Sequence, residues 1–158
     1  MRNILVSLFF IFIPLVGLSQ KNLISYDDIK YLISNNLFQA DTFLVAKGYT
    51  IFKKDVKRGT RKYRLEFKSG TNSEIGMRQD GKKIFVEIMT NEIDQYNLIK
   101  ESIIQYINKD VLVGDVQSYT IKDIGTIYIS INDAEPYNPL RKDYNINIIP
   151  DKNITSYN

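Results

Sequence analysis

Residues 73–90 read SEIGMRQDGKKIFVEIMT and carry the clearest structural signal in the chain. The dipeptide Asp80-Gly81 tolerates positive φ angles at both inner positions of a type I′ turn, the two-residue connection that best joins antiparallel strands. Residues 73–79 and 82–90 are therefore predicted to form a β-hairpin. The side chains expected to face the core from this hairpin are Ile75, Ile84, Val86 and Ile88.

Alternation of apolar and polar residues predicts further strands on both sides of this hairpin. Residues 49–52 and 62–68 form an earlier pair joined by a loop that contains Gly59. Three later strands are predicted at 116–122, 126–132 and 143–149. The polar tail at 151–158 is expected to fray.

Two segments have the apolar spacing of helices. Ser25 is a predicted N-cap with Asp28 three residues later, and one helix is expected over 26–47, which Asn35-Asn36 could divide into two. A second helix is expected between a cap at Asn91 and about Lys109.

The order of helix then strands, repeated once, predicts an α+β fold in which two helices pack on a mainly antiparallel sheet. Residues 20–158 are expected to form a single domain, with tandem halves at 20–90 and 91–150 as an alternative. The triplet at 49–51, Tyr-Thr-Ile, recurs at 119–121 and favours duplication. The layout resembles the tandem helix-plus-sheet architecture of secreted β-lactamase inhibitory proteins, without a shared motif, and so implies an architecture but no activity.

The N-terminal residues have the organisation of a secretory signal peptide. Met1-Arg2-Asn3 gives a positive start, residues 4–18 are an apolar run, and small residues precede a predicted cleavage between Ser19 and Gln20. This segment resembles export segments of Bacteroidetes-type bacteria, whose mature proteins often begin with Gln. Residues 1–19 are therefore predicted to be removed, leaving a periplasmic or extracellular protein without a stable membrane anchor. A retained anchor is the alternative.

The composition excludes several kinds of enzyme, because the chain has no His, no Cys and no Trp. Catalysis by an imidazole base or a thiolate, and the usual zinc ligand sets, are thereby excluded. No catalytic residue, cofactor or metal site is predicted. A carboxylate-dependent glycan hydrolase or lyase stays open as an alternative, with Glu66 and Glu87 on predicted strands as a candidate pair.

The densest charge lies at residues 53–64, where seven residues are basic and one is acidic. Such a loop could bind the phosphates or sulfates of an anionic envelope polymer or lipid head group. The alternative is a solvated hairpin tip whose charges prevent edge-to-edge pairing of strands. Nucleic acid is not an expected partner, because an exported protein is separated from the usual nucleic-acid targets inside the cell. The candidate anion-binding residues are Lys53, Lys54, Lys57, Arg58, Arg61, Lys62 and Arg64.

Residues 132–139 are the longest predicted loop, and Asp133, Glu135 and Tyr137 within it are candidate contacts for an unknown envelope protein. A Pro-rigid surface turn is the alternative. Tyrosine is abundant, with 11 residues, and could add an aromatic platform for sugars or a protein partner. The tyrosines on predicted strands are Tyr49, Tyr63, Tyr119, Tyr128 and Tyr144.

The expected function is that of an exported, non-catalytic binding module of the bacterial envelope.

Overall fold

One antiparallel sheet of eight strands runs through the protein, and helices cover one of its faces. The computed structural model describes residues 22–135 and 138–156. The predicted export segment at 1–19 lies outside these residues. In chain order the elements are α1 (Tyr26–Ser34), α2 (Leu37–Ala46), β1 (Thr50–Asp55), β2 (Thr60–Glu66), β3 (Asn72–Asp80), β4 (Lys83–Thr90), α3 (Ile93–Ile103), a 3-10 turn (Ile104–Tyr106), β5 (Ile107–Val113), β6 (Val116–Ile121), β7 (Gly125–Glu135) and β8 (Asn138–Pro150).

The strand order across the sheet is β1-β2-β3-β4-β8-β7-β6-β5. The first four strands of the chain therefore occupy one side of the sheet, and the last four occupy the other. The two sets meet where β4 pairs with β8, with Val86 opposite Ile148 and Ile88 opposite Ile146. Whether the two halves arose by duplication stays a prediction.

The core lies between the helices and the covered face of the sheet. Strict alternation along β4 buries Ile84, Val86 and Ile88, as the sequence predicts, and β3 adds Ile75. The helices contribute one apolar side each, so burial of that side holds them on the sheet. The fully buried apolar helix residues are Ile29, Leu32, Ile33, Ala40, Leu44, Ile99 and Ile103.

The α+β prediction is confirmed, but within residues 22–135 and 138–156 three helices pack on the sheet rather than two. Ser25 and Asp28 form the expected capping box at the start of α1. Asn35 ends α1, and the Asn36 side chain accepts hydrogen bonds from the first turn of α2, which confirms the division at Asn35-Asn36. The cap predicted at Asn91 is wrong by one residue, because Glu92 caps α3.

Three parts of the chain differ from the sequence predictions. The helix that the sequence predicts up to about Lys109 is α3, which ends at Ile103. Residues 107–109, expected to continue that helix, instead begin edge strand β5. The predicted loop at 132–139 is mostly strand, since β7 extends to Glu135 and β8 begins at Asn138. The tail does not fray before Ser156, whose buried N–H donates to the carbonyl of Lys82 at 2.6 Å.

Within residues 22–135 and 138–156, no helix is both long and apolar enough to cross a lipid bilayer.

Candidate functional site

The sheet face that bears no helices, here called the open face, contains a groove of about 730 Å³. Side chains from β1 at one side and from β6 at the other line the same groove. These strands are separated by the full width of five intervening strands. The sheet must therefore curve so that its open face is concave.

A row of directly opposed residues crosses this face through the middle of the groove. From Lys62 on β2 to Tyr128 on β7, each member lies between two buried residues of its own strand, and for that reason it points away from the helices. Glu87, for example, lies between buried Val86 and buried Ile88. In the order of the strands, the row is Lys53, Lys62, Gly76, Glu87, Asn147, Tyr128, Ser118 and Val111.

Glu87 is the acidic residue at the centre of this row. It is half-buried, and its carboxylate leans over Gly76, where an added Cβ would lie 3.5 Å from Oε2 of Glu87. Among the described residues, no basic group lies within 4.0 Å of it, and Asn145 Nδ2 donates to Oε1 at 3.5 Å. Much of the hydrogen-bonding capacity of this carboxylate thus remains for a ligand.

The β1 to β3 side of the groove is basic. Lys53 and Lys62 stand side by side across β1 and β2, and no carboxylate lies within 4.0 Å of either among the described residues. Arg78 on β3 lies next along this wall, with its guanidinium 5.0 Å above the ring of Phe85. The groove therefore presents three cations on one side and one anion at its centre.

Two of the seven predicted anion-binding residues lie on the helix side instead. Arg61 is 8% exposed, and its Nε lies 3.5 Å from Oδ1 of Asp41 on α2. Lys54 Nζ lies 3.4 Å from Oδ2 of the same carboxylate. Tyr63 donates its hydroxyl to Asp41 Oδ1 at 2.6 Å. These contacts join the basic hairpin, residues 53–64, to the helix layer.

The remaining members of the predicted set have local partners or lie at the hairpin tip. Arg64 pairs with Glu74 on the neighbouring strand and stacks 5.1 Å above Phe52. Arg58 Nε lies 3.8 Å from Oδ2 of Asp55, and Lys57 is exposed beside it. Lys53, Arg61 and Lys62 of the seven line the groove, but Arg61 is paired with Asp41, so only Lys53 and Lys62 lack an ion-pair partner there among the described residues.

The predicted partner contacts fall on the β7–β8 hairpin. Asp133 is exposed and forms an ion pair with Lys142 on the facing strand. Glu135 is backbone-paired with Asn138, and its side chain lies outside what the structure describes. Tyr137 also lies outside the described residues. The expected loop surface is a strand pair instead, because backbone pairing continues beyond the last core residue.

The strand tyrosines do not form a common platform. Tyr49, Tyr63 and Tyr144 are buried in the core. Tyr119 is half-buried on the helix side and donates its hydroxyl to Gln117 at 2.8 Å. Tyr128 alone among these five points into the groove, where it is 37% exposed. Its ring has no aromatic or cationic stacking partner among the described residues.

Glu66 and Glu87 do not form the carboxylate pair considered for glycan hydrolysis. Glu87 is opposite Gly76, which in turn is opposite Lys62, four residues before Glu66. The backbone positions of the two residues are thus about 14 Å apart along the strands and about 10 Å apart across them. Glycosidase pairs are separated by roughly 5–9.5 Å. Within the described part of the chain, no three acidic side chains cluster as metal ligands would.

Sequence reasoning missed Gly76, Arg78 and Asn147 as groove residues, and Asn145 as the hydrogen-bond donor to Glu87. Alternation along each strand could have assigned them to the open face. Their assembly into one site depends on the pairing of β4 with β8, which lie far apart in the chain. No local signal specifies that pairing.

No protein-family model, curated protein or solved structure matches the chain.

Proposed function

We propose that this protein is a non-catalytic binding module of the bacterial envelope whose ligand occupies the groove on the open face. The central observation is the polar row that crosses the concave face, with Glu87 and two lysines lacking ion-pair partners among the described residues. Folding alone does not require such groups to converge in a concavity. Ligand sites are typically concave and use a few convergent polar groups.

The absence of His and Cys from the whole sequence favours binding over catalysis. A glycan-cleaving enzyme would need two carboxylates flanking one bond. Glu87 is the only acidic residue among those that line the groove in the described part of the chain. It can accept hydrogen bonds from a ligand, but it has no second carboxylate there to complete an acid and base pair.

Nuclear magnetic resonance can test the binding proposal with fractionated envelope polysaccharide, lipid and protein as separate probes. Backbone shifts of Gly76, Glu87 and Tyr128 should change with one of these fractions, while those of the helices remain constant. Gly76→Tyr should abolish the response by filling the middle of the groove. Shifts confined to the helical side, or none with any fraction, would contradict the proposal.

Export by removal of residues 1–19 is part of the same proposal. It is supported by the apolar run at 4–18 and by the small residues before Gln20. Mass spectrometry of protein recovered from the periplasm or medium should give an N-terminus at Gln20. Recovery of the chain in the membrane fraction with Met1 still attached would contradict export in mature form.

A second candidate function is binding of an anionic envelope polymer or lipid head group, and the basic wall of the groove favours it. Retention on heparin and on lipopolysaccharide across a salt series tests this candidate. Lys53→Glu with Lys62→Glu should weaken retention and flatten its salt dependence. Lys30→Glu with Lys100→Glu makes the same charge change on α1 and α3 and should have little effect. Equal losses in the two variants would argue against a groove site.

A further inference from the structure

We propose that the groove ligand is an acidic oligosaccharide, with its acid groups at Lys53 and Lys62 and its hydroxyl-bearing rings across Glu87, Asn147 and Tyr128. This inference rests on the proposed function and assigns a ligand class to the same site. Three features of the central row carry it: the segregation of charge, the position of Glu87, and the unstacked ring of Tyr128.

Charge is segregated along the row. Lys53 and Lys62 lie on β1 and β2, whereas the row residues on β6, β7 and β8 are uncharged. Asn147 and Ser118 offer both donors and acceptors there. A ligand that matches the whole row therefore has anionic groups at one side and neutral polar groups at the other.

Glu87 separates hydroxyl-bearing ligands from phosphate-rich ones. An ionised carboxylate is only an acceptor, so a ligand must donate hydrogen bonds to it. Sugar hydroxyls can donate them, whereas the oxygens of an ionised polyphosphate cannot. A polyphosphate in the groove would also place negative charge against a half-buried carboxylate, at a cost in desolvation and repulsion.

Tyr128 completes the match on the uncharged side. A tyrosine ring offers a flat apolar face with a polar hydroxyl at its edge, which suits the mixed surface of a sugar ring. The other aromatic ring lining the groove, that of Phe85, is already covered by Arg78. The row from Lys53 to Tyr128 spans five strand spacings, about 24 Å along the sheet, so several linked sugars are needed to fill it.

The test is calorimetric titration of the exported protein with oligomers of galacturonate, alginate and heparin. Two comparison ligands are titrated at the same ionic strength: the methyl-esterified galacturonate oligomer, which lacks the acid groups, and inorganic polyphosphate, which lacks the sugar. At least one acidic oligosaccharide should bind about tenfold more tightly than both the ester and polyphosphate. Equal or tighter binding of polyphosphate, or no binding of any acidic oligosaccharide, would overturn the inference.

Two groove variants sharpen the test. Glu87→Gln should weaken oligosaccharide binding about tenfold and strengthen polyphosphate binding, because it removes both an acceptor and a negative charge. Tyr128→Ala should weaken oligosaccharide binding and leave polyphosphate binding unchanged. Equal effects of either variant on both probes would count against a glycan. Thermal unfolding checks that each variant folds, and Lys30→Glu with Lys100→Glu is the control on the helical side.

The outcomes also separate this inference from the proposed function. A neutral glycan or a peptide that shifts the groove resonances, and is blocked by Gly76→Tyr, would refute the acidic oligosaccharide and retain the binding module. Acidic oligosaccharides that bind with unchanged affinity to Gly76→Tyr would refute both.

Discussion

Tyr63 on β2 donates its hydroxyl to Oδ1 of Asp41 on α2, with 2.6 Å between the two oxygens. The same carboxylate lies 3.5 Å from Arg61 Nε and 3.4 Å from Lys54 Nζ. One helix residue thus organises a phenol and two cations beneath the basic hairpin. Lys54, Arg61 and Tyr63 of the hairpin therefore connect the sheet to the helices.

Replacing Asp41 with alanine should lower the free energy of unfolding by about 3 kcal/mol, since Arg61 would be left buried without its charge partner. Its Nε already lacks a hydrogen-bond partner among the described residues. Lys54→Ala removes a cation whose side chain is 48% exposed, and should cost less than about 1 kcal/mol. Urea denaturation measures both changes. If the free energy of unfolding falls by a similar, small amount in both variants, the contacts around Asp41 do not hold α2 on the sheet.

The sequence identified the basic hairpin but not its division between two faces. Seven basic residues within twelve look like one surface when side-chain direction is ignored. Alternation sends Arg61 and Lys62 to opposite faces of β2, and the irregular register between Ile51 and Lys53 sets the direction of the β1 side chains. A bulge of this kind has no reliable signature in a single sequence.

Gln95 on α3 is a second residue whose role depends on distant packing. It is 0% exposed, and its amide both donates to the carbonyl and accepts from the N–H of Ile24, each at 2.8 Å. Gln95→Leu should lower the free energy of unfolding by about 2–4 kcal/mol, because two buried backbone groups lose their partners. Asn97→Leu, on the exposed side of α3, is the matched control, with an expected change below about 0.5 kcal/mol. Thermal unfolding should give a lower midpoint for Gln95→Leu than for Asn97→Leu. Equal midpoints would contradict a stabilising role for the two hydrogen bonds between Gln95 and Ile24.

Elements with one buried face were predictable, and elements without one were not. The hairpin at Asp80-Gly81 combines a turn signal with alternation, and both point to the same structure. In β5, six of seven residues are exposed, so no alternating pattern distinguishes it from the preceding helix. The outer part of the β7–β8 hairpin is likewise held by backbone pairing beyond the core.

Two glycines of the sheet should respond in opposite ways to alanine. Gly125 has φ +123°, and a Cβ there would lie 2.3 Å from the carbonyl oxygen of Ile149. Gly125→Ala should therefore cost at least about 3 kcal/mol. Gly76→Ala meets nothing closer than 3.5 Å and should stabilise the strand by about 0.5 kcal/mol. Chemical denaturation compares them, and a tolerated Gly125→Ala would show that β7 can shift away from β8 at this point.

Burial of tyrosine hydroxyls should make the fold sensitive to alkali. Burial raises the pKa of Tyr49 to about 12, and burial together with the hydrogen bond to Asp41 raises the pKa of Tyr63. An unfolded tyrosine has a pKa of about 10. Between pH 10 and 12 the unfolded chain therefore loses protons that the folded chain retains, and the free energy of unfolding falls as pH rises.

Each pKa unit corresponds to about 1.4 kcal/mol, and a titration that is half complete at each limit leaves Tyr49 alone to account for a loss of about 2 kcal/mol between pH 10 and 12. Urea denaturation at intervals from pH 9 to 12 measures it. Tyr49→Phe should reduce the loss, because the phenol is gone. The Tyr49 hydroxyl donates a 3.3 Å hydrogen bond to the hydroxyl of Ser73. Ser73→Ala removes this bond but keeps the phenol, and should preserve or enlarge the fall in the free energy of unfolding with pH. Identical pH profiles for wild type and Tyr49→Phe would show that ionisation of Tyr49 does not drive alkaline unfolding.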